Sequence, residues 1–417
     1  MDKKIKILTL SDHPFSPSGV AHMTRNMIEG MLATGKYKFV SFGGAIKHQD
    51  YRPQKTEQWG DDWVIYPIDG YGNHEIIRSI LRTERPDILW FMTDPRFFTW
   101  LWQIENEIRS NVPMVYYHVW DNYPYPSFNR KFYLSNDHIV TISKVTDDIV
   151  ANVAPEVKRT YLPHAVDTNV FKRLPETDII KFKKEQLKIE DDRTVFFWNN
   201  RNARRKQSGS VLWWFSEYLE KVGKDKAVLI MHTEPKDQNG QDLIAIMENR
   251  GLTNREVLIS QQKIPPQHLA YFYNAADATI NISDAEGFGL ATLESLACET
   301  PIIVVKTGGL QEQVRGPNGL FGIEILPSSQ AVIGSQEVPF IYEDRISNSQ
   351  FVSALETFVD IPKEQRKLIG QAGRQHVIDN FSFDMYRSTW DNILTETYNT
   401  NGSWPNKAYK AWELKEI

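Results

Sequence analysis

Ser283-Asp284-Ala285-Glu286-Gly287-Phe288-Gly289-Leu290-Ala291-Thr292-Leu293-Glu294-Ser295-Leu296-Ala297 is the stretch on which the reading of this chain turns. The apolar run Ala278–Ile282 leads into it, a turn carrying glycine follows, and an amphipathic segment opens near Gly289. The pattern reads as a strand, a turn and the start of a helix. Gly287 and Gly289 let backbone amides approach a ligand with no Cβ in the way. Unsatisfied N–H groups and the positive end of a helix dipole make such a turn a seat for phosphate. Glu286 stands in the turn and Glu294 about two helical turns later, where a carboxylate can accept hydrogen bonds from a pair of sugar hydroxyls.

The same style runs through the whole chain. In the first half, short apolar runs at Ile5–Leu10, Lys38–Phe42, Asp87–Met92, Met114–Val119, His138–Ile142 and Arg159–Leu162 alternate with helix-length segments. Met23, Met27 and Met31, four apart, lie on one helical face. The second half repeats the pattern with Val195–Trp198, Val228–Met231, Val257–Ile259, Ala278–Ile282 and Ile302–Val305. Strands alternating with helices predict two doubly wound α/β domains with parallel sheets. The polar stretch from about Lys172 to Arg193 reads as the connector. From Asn348 onward the pattern is helical, with Phe351–Val359, Glu364–Asn380 and Phe383–Tyr398, until Gly402 and Pro405 break it.

Composition sets the outer bounds. The 417 residues are ample for two or three domains, and charged residues at 24% with hydrophobic ones at 41% exclude a disordered or disulfide-stapled chain. The net charge is −5, and neither half is strongly basic, which argues against non-specific binding of nucleic acid. A single cysteine, Cys298, can form no internal disulfide. The opening Met1–Leu10 is too short and charged for a signal peptide, and no run of 18 apolar residues occurs, so a soluble cytoplasmic protein is expected. The exception to the even charge is Arg201, Arg204, Arg205 and Lys206, packed just after the run Val195–Trp198. A guanidinium and an ammonium placed together can bind a diphosphate.

The quoted stretch continues through Cys298-Glu299-Thr300-Pro301-Ile302-Ile303-Val304-Val305 to Gly308-Gly309-Leu310-Gln311-Glu312. Together they resemble the C-terminal signature of the retaining family-4 glycosyltransferases (glycosyl transferases group 1): E-G-F-G-L-x-x-x-E-x-x-A, a proline step into a strand, then G-G-x-x-E. Arg201 and Lys206 keep the spacing of that family's G-R-x-x-x-x-K, with asparagines in place of the glycine. Ser18-Gly19-Val20 resembles its first glycine turn with one glycine instead of two. His118-Val119-Trp120-Asp121 resembles its histidine loop, and Leu162-Pro163-His164-Ala165-Val166-Asp167 its P-N-G-V-D stretch.

The resemblance implies a GT-B fold: two Rossmann-like doubly wound domains, a cleft between them, and a C-terminal helix returning to the first domain. The implied domains are 1–172 on the acceptor side, 173–383 for the nucleotide sugar, and a returning tail, 384–417. The implied activity is transfer of a hexosyl or pentosyl group from a nucleotide-diphosphate sugar to an acceptor hydroxyl with retention. UDP- or GDP-linked donors are expected, with no other cofactor. No D-x-D motif is present, so no metal is expected and cationic side chains would stabilise the leaving diphosphate. In this reading Glu286, Arg201, Lys206 and His118 are catalytic. Glu294, Gly287, Phe288, Gly289, Leu290, Gly19, Gly308 and Gly309 bind the donor, and Ser18, Trp120 and Asp121 face the acceptor. The acceptor is a glycan or small molecule. Two alternatives share the residues: transfer to a hydroxymethylpyrimidine of viral DNA, motivated by the basic cluster and the aromatics, and a catalytically silent nucleotide-sugar or glycan-binding protein.

Overall fold

A computed structural model describes residues 3–190, 192–317 and 319–409. The chain falls into two units, one made of residues up to His164 together with those from Asp384 on, the other of Ala165–Phe383. The first unit is built on an eight-stranded sheet in the order β3-β4-β2-β1-β5-β6-β7-β8. Its strands are β1 (Ile5–Asp12), β2 (Tyr37–Gly44), β3 (Gln54–Lys55), β4 (Trp63–Pro67), β5 (Ile88–Met92), β6 (Met114–His118), β7 (His138–Thr141) and β8 (Arg159–Tyr161). All neighbours run parallel except β3, which pairs antiparallel with β4. Ile7 lies between Phe39 of β2 and Ile88 of β5, and Ile7 and Leu8, on opposite faces of β1, are both fully buried, as a sheet covered by helices on each side requires.

The helix Gly19–Ala33 begins where Ser18 Oγ accepts from the Ala21 amide, and it buries Met23, Met27 and Met31. The last long helix, Phe383–Asn401, packs within this same unit from Asp384 onward. Its buried Tyr386, Trp390 and Leu394 recur every fourth residue. Trp390 meets Trp90 and Tyr117 edge-on, at ring separations of 5.8 and 5.1 Å. Next to it, Asp391 accepts from the Tyr37 hydroxyl and the Lys36 ammonium, both at 2.6 Å.

The second unit carries a six-stranded parallel sheet in the order β11-β10-β9-β12-β13-β16. Its strands are β9 (Thr194–Asn199), β10 (Ala227–His232), β11 (Val257–Ser260), β12 (Ala278–Asn281), β13 (Ile302–Val305) and β16 (Gly322–Ile325). Phe196, Trp198, Leu229, Ile280 and Ile303 form its core with Phe215, Leu219, Phe351 and Phe358 from covering helices. Between β13 and β16 lies a short ribbon, β14 (Arg315–Gly316) with β15 (Gly319–Leu320). After β16 comes an antiparallel hairpin, β17 (Ser329–Ile333) with β18 (Ile341–Arg345).

Two expectations change. The expected domain boundary at 172–173 falls inside the second unit, and the expected connector is part of its packing. Glu176–Phe182 is a helix with Ile179 buried, Phe182 meets Phe272 at 5.1 Å, and the Leu174 amide donates to Asn274 Oδ1 at 2.9 Å. Its high charge hid a single apolar stripe. Strand β4, Trp63-Val64-Ile65-Tyr66-Pro67, is an apolar run beyond those read from the sequence, while β16, β17 and β18 have none; in β18, Ile341-Tyr342-Glu343-Asp344-Arg345, the buried residue is a glutamate.

Candidate active site

The two glycine turns of the second unit are one structure. Gly309 N–H donates to the Glu286 carbonyl at 3.0 Å, and a Cβ on Gly308 would lie 1.9 Å from that same oxygen. Gly308 has φ +45° and Gly289 φ +94°, so both positions favour a residue without a side chain. Buried Gln313 donates to the Phe288 and Gly289 carbonyls at 2.7 and 3.1 Å and accepts from Thr292. Gly308 and Gly309 thus brace the turn Glu286–Gly289 from behind, and the helix Leu290–Ala297 starts from it.

Glu286 is buried and forms an ion pair with Lys206, which reaches it from the loop after β9. Asn281 Nδ2 and Ser283 Oγ donate to the same carboxylate oxygen at 3.2 and 3.4 Å. Arg205 stands 4.0 Å from the other oxygen while donating to the Ala285 carbonyl at 2.5 Å. Burial alone would raise the Glu286 pKa, but Lys206 and Arg205 outweigh it and hold the group at about 2. The result is a fixed carboxylate beside fixed cations at the carboxyl ends of β9 and β12, where ligands of open α/β sheets bind.

Glu294 lies on the helix Leu290–Ala297 within a second chain of hydrogen bonds. Tyr273 OH donates to Glu294 Oε2 at 2.6 Å and accepts from Asn199 Nδ2 at 2.8 Å. Burial pushes Glu294 up to about 7, against the lowering effect of Tyr273. Arg201 pairs separately from Lys206. It is 62% exposed, and its guanidinium is forked on Asp237, with Nε at 2.7 Å and Nη2 at 3.2 Å. Asn199, Tyr273 and Asp237 carry no motif and were missed in the sequence.

In the first unit, Ser18 donates to Asp12 at the end of β1 and caps the helix that Gly19 opens. Asp12 also accepts from Tyr71 OH at 2.7 Å. His118 departs from its expected position. The strand β6 runs through it, its ring is fully buried between Tyr116 and Tyr133, and its Nε2 lies 2.8 Å from Tyr133 OH. Burial pulls its pKa down to about 3, so it stays neutral. The ring has no exposed surface, where a histidine in a loop is expected. Trp120, expected to face an acceptor, is also buried. Its Nε1 donates to the Asn122 carbonyl at 2.8 Å and its ring packs on Phe128, while Asp121 beside it is half-buried.

Residues 179–322 match the glycosyl transferases group 1 family. The chain is 46% identical over 66 residues to a D-inositol 3-phosphate glycosyltransferase of Acidothermus cellulolyticus, covering 16% of this chain and 15% of that protein. It is 28% identical over 176 residues to an alpha-monoglucosyldiacylglycerol synthase of Streptococcus pneumoniae, covering 42% and 38%. The matched part of the chain thus spans less than half the length of these relatives. A sucrose-phosphate synthase from Thermosynechococcus elongatus superposes with TM-score 0.75 at 15% identity, over 95% of this chain and 100% of that one. The fold is GT-B. Anabaena HepE, solved with UDP and glucose, gives a TM-score of 0.68 at 15% identity, over 94% of this chain and 100% of that one. Within the GT-B framework, the family match takes in both glycine turns, Arg201, Lys206, Glu286 and Glu294. Ser18, Gly19, His118, Trp120 and Asp121 lie outside it.

Proposed function

We propose that this protein is a glycosyltransferase that moves a sugar from a UDP- or GDP-linked donor to an acceptor hydroxyl, with retention and without a metal. The observation that carries the reading is the buried Lys206–Glu286 pair braced by Gly308 and Gly309. Lys206, a cation held in place by Glu286, serves the diphosphate. Glu286 positions the sugar, and Glu294, set by Tyr273, holds the ribose hydroxyls. The bond from the anomeric carbon to the diphosphate oxygen breaks, and its electron pair stays on the diphosphate. Lys206 and Arg201 stabilise that growing charge. The acceptor oxygen attacks from the face the diphosphate leaves, and its proton passes to the departing phosphate oxygen. Retention then needs no protein nucleophile.

The acceptor side passes from Trp120 to the loops beyond β1 and β2. Asp12, Ser18 and Tyr71 form a hydrogen-bonded group there, beside a run of rings in which His13 lies 5.6 Å from His48 and His48 lies 5.7 Å from Tyr51. Hydroxyl-binding carboxylates with aromatic rings suit a glycan or another polyhydroxylated small molecule better than a polyanion such as DNA. The deciding experiment screens nucleotide sugars for thermal stabilisation of the purified protein and for release of nucleoside diphosphate. Stabilisation with release is the expected result. Stabilisation without release on any acceptor would make it a silent binding protein, and steeply salt-dependent duplex binding would turn the acceptor to DNA.

A further inference from the structure

The hairpin β17–β18 lies beyond the family match, and its second strand turns a carboxylate inward. Glu343, 2% exposed, accepts from both terminal nitrogens of Arg204, at 2.9 Å from Nη1 and 2.5 Å from Nη2. The same carboxylate accepts from Arg345 Nη2 at 2.7 Å, while Arg345 Nη1 donates to Asp284 at 2.7 Å. Asp284, 3% exposed, also accepts from Gln207 Nε2 at 2.7 Å. The backbone joins the same three segments: Asp344 N–H donates to the Asp284 carbonyl, and Asp284 N–H donates to the Arg205 carbonyl, both at 2.8 Å.

The three segments are the hairpin, the loop holding Lys206, and the turn holding Glu286. Two buried carboxylates and two guanidinium groups alternate in sign around their junction, so each charge has partners of opposite sign. Arg204 and Arg205 directly precede Lys206, and Asp284 lies two residues before Glu286. Glu343 and Arg345 hold the residues that flank Lys206 and Glu286, namely Arg204 and Asp284. Among the described residues, the nucleoside-side group Asn199–Tyr273–Glu294 is bonded within itself and not to the hairpin.

We propose that Glu343 and Arg345 are positioning residues, and that the hairpin they belong to is the clamp setting Lys206 against Glu286 for bond breaking. The proposal rests on the transferase reading for its kinetic consequence, and on the ion-pair geometry alone for its structural one. Fork-to-fork pairing fixes a guanidinium in plane as well as in distance, which a single ammonium contact does not. Releasing it lets the Lys206 loop drift, and a drift of about 1 Å at a reacting group costs about 100-fold in rate.

The test compares the full-length protein with Glu343→Gln, which keeps the shape and removes the charge, and with Arg345→Lys, which keeps the charge and removes the fork. Glu324→Gln, in the Arg315–Glu324 pair away from the hairpin, serves as a control. Turnover is scored per UDP-binding site, so that loss of folded protein does not count. The expected result is kcat lowered about 10- to 100-fold in both hairpin variants, with donor KM changed less than about threefold. Limited trypsin digestion gives a reading independent of activity: cleavage after Arg204 and Arg205 accelerates in both hairpin variants and not in the control. Unchanged kcat, or unchanged cleavage in variants that fold, would overturn the clamp. Were the wild type inactive on every donor, the transferase reading would fail, and the cleavage rates would still decide whether the hairpin holds the loop.

Discussion

Tyr273 donates its hydroxyl proton to Glu294 at 2.6 Å, and this single contact links the ribose-binding candidate to the end of β9 through Asn199. Burial pushes Glu294 from its usual 4.5 up to about 7. Because the folded value lies above the unfolded one, the group favours the folded state fully below about pH 4.5, and that contribution is lost as pH rises through about 7. Glu294→Gln removes the ionising group. The melting temperature of the variant relative to wild type should therefore rise between about pH 5 and pH 8, while UDP affinity falls about tenfold or more. Calorimetric melts across that range and UDP titrations check both halves.

Lys206→Ala leaves the Glu286 carboxylate buried without its ammonium partner. Loss of one member of a buried pair costs about 3–5 kcal/mol, and turnover should fall with it. Lys206→Met with Glu286→Gln removes both charges and should recover most of that stability but none of the activity. The depressed pKa of Glu286 adds a pH signature. Its contribution is fully present above about 4.5 and is lost as pH falls toward about 2, so the stability gap between wild type and the single variant should narrow in acid. Denaturant melts at several pH values measure it.

Arg201 behaves differently because its pair with Asp237 is at the surface. Arg201→Ala should change stability by less than about 1 kcal/mol and still depress kcat. Equal stability with unchanged kcat would remove Arg201 from the site.

The returning helix is tested by Trp390→Ala. Its ring is fully buried against Trp90 and Tyr117, so truncation should cost about 3–5 kcal/mol. Donor-site chemistry in the second unit should survive where the variant remains folded, which UDP titration below the melting temperature would show.

What the sequence disclosed follows from how each feature is built. Central strands such as β1 and β9 are apolar on both faces, so they stand out as short runs. The glycines at Gly289 and Gly308 answer backbone demands that no other residue meets well. Side-chain networks leave no such trace. Tyr273 lies 21 residues before Glu294, and Glu343 lies 139 residues after Arg204, so neither pair has a spacing to read. The strand β18 was obscured because its buried position holds a glutamate, neutralised by Arg204 from far along the chain and by Arg345 two residues on. His118 and Trp120 sit in a loop motif whose residue types suggest chemistry, but the sheet continues through His118 and buries both.

The most direct measurement is proton NMR of a reaction containing wild-type protein, a nucleotide sugar that stabilises it, and a panel of sugar and polyol acceptors. The expected result is consumption of the donor, stoichiometric nucleoside diphosphate, and a product whose anomeric coupling matches that of the donor, all absent with Lys206→Ala. A product of inverted configuration, or a donor that stays intact beside every acceptor, would contradict the assignment of a retaining transferase.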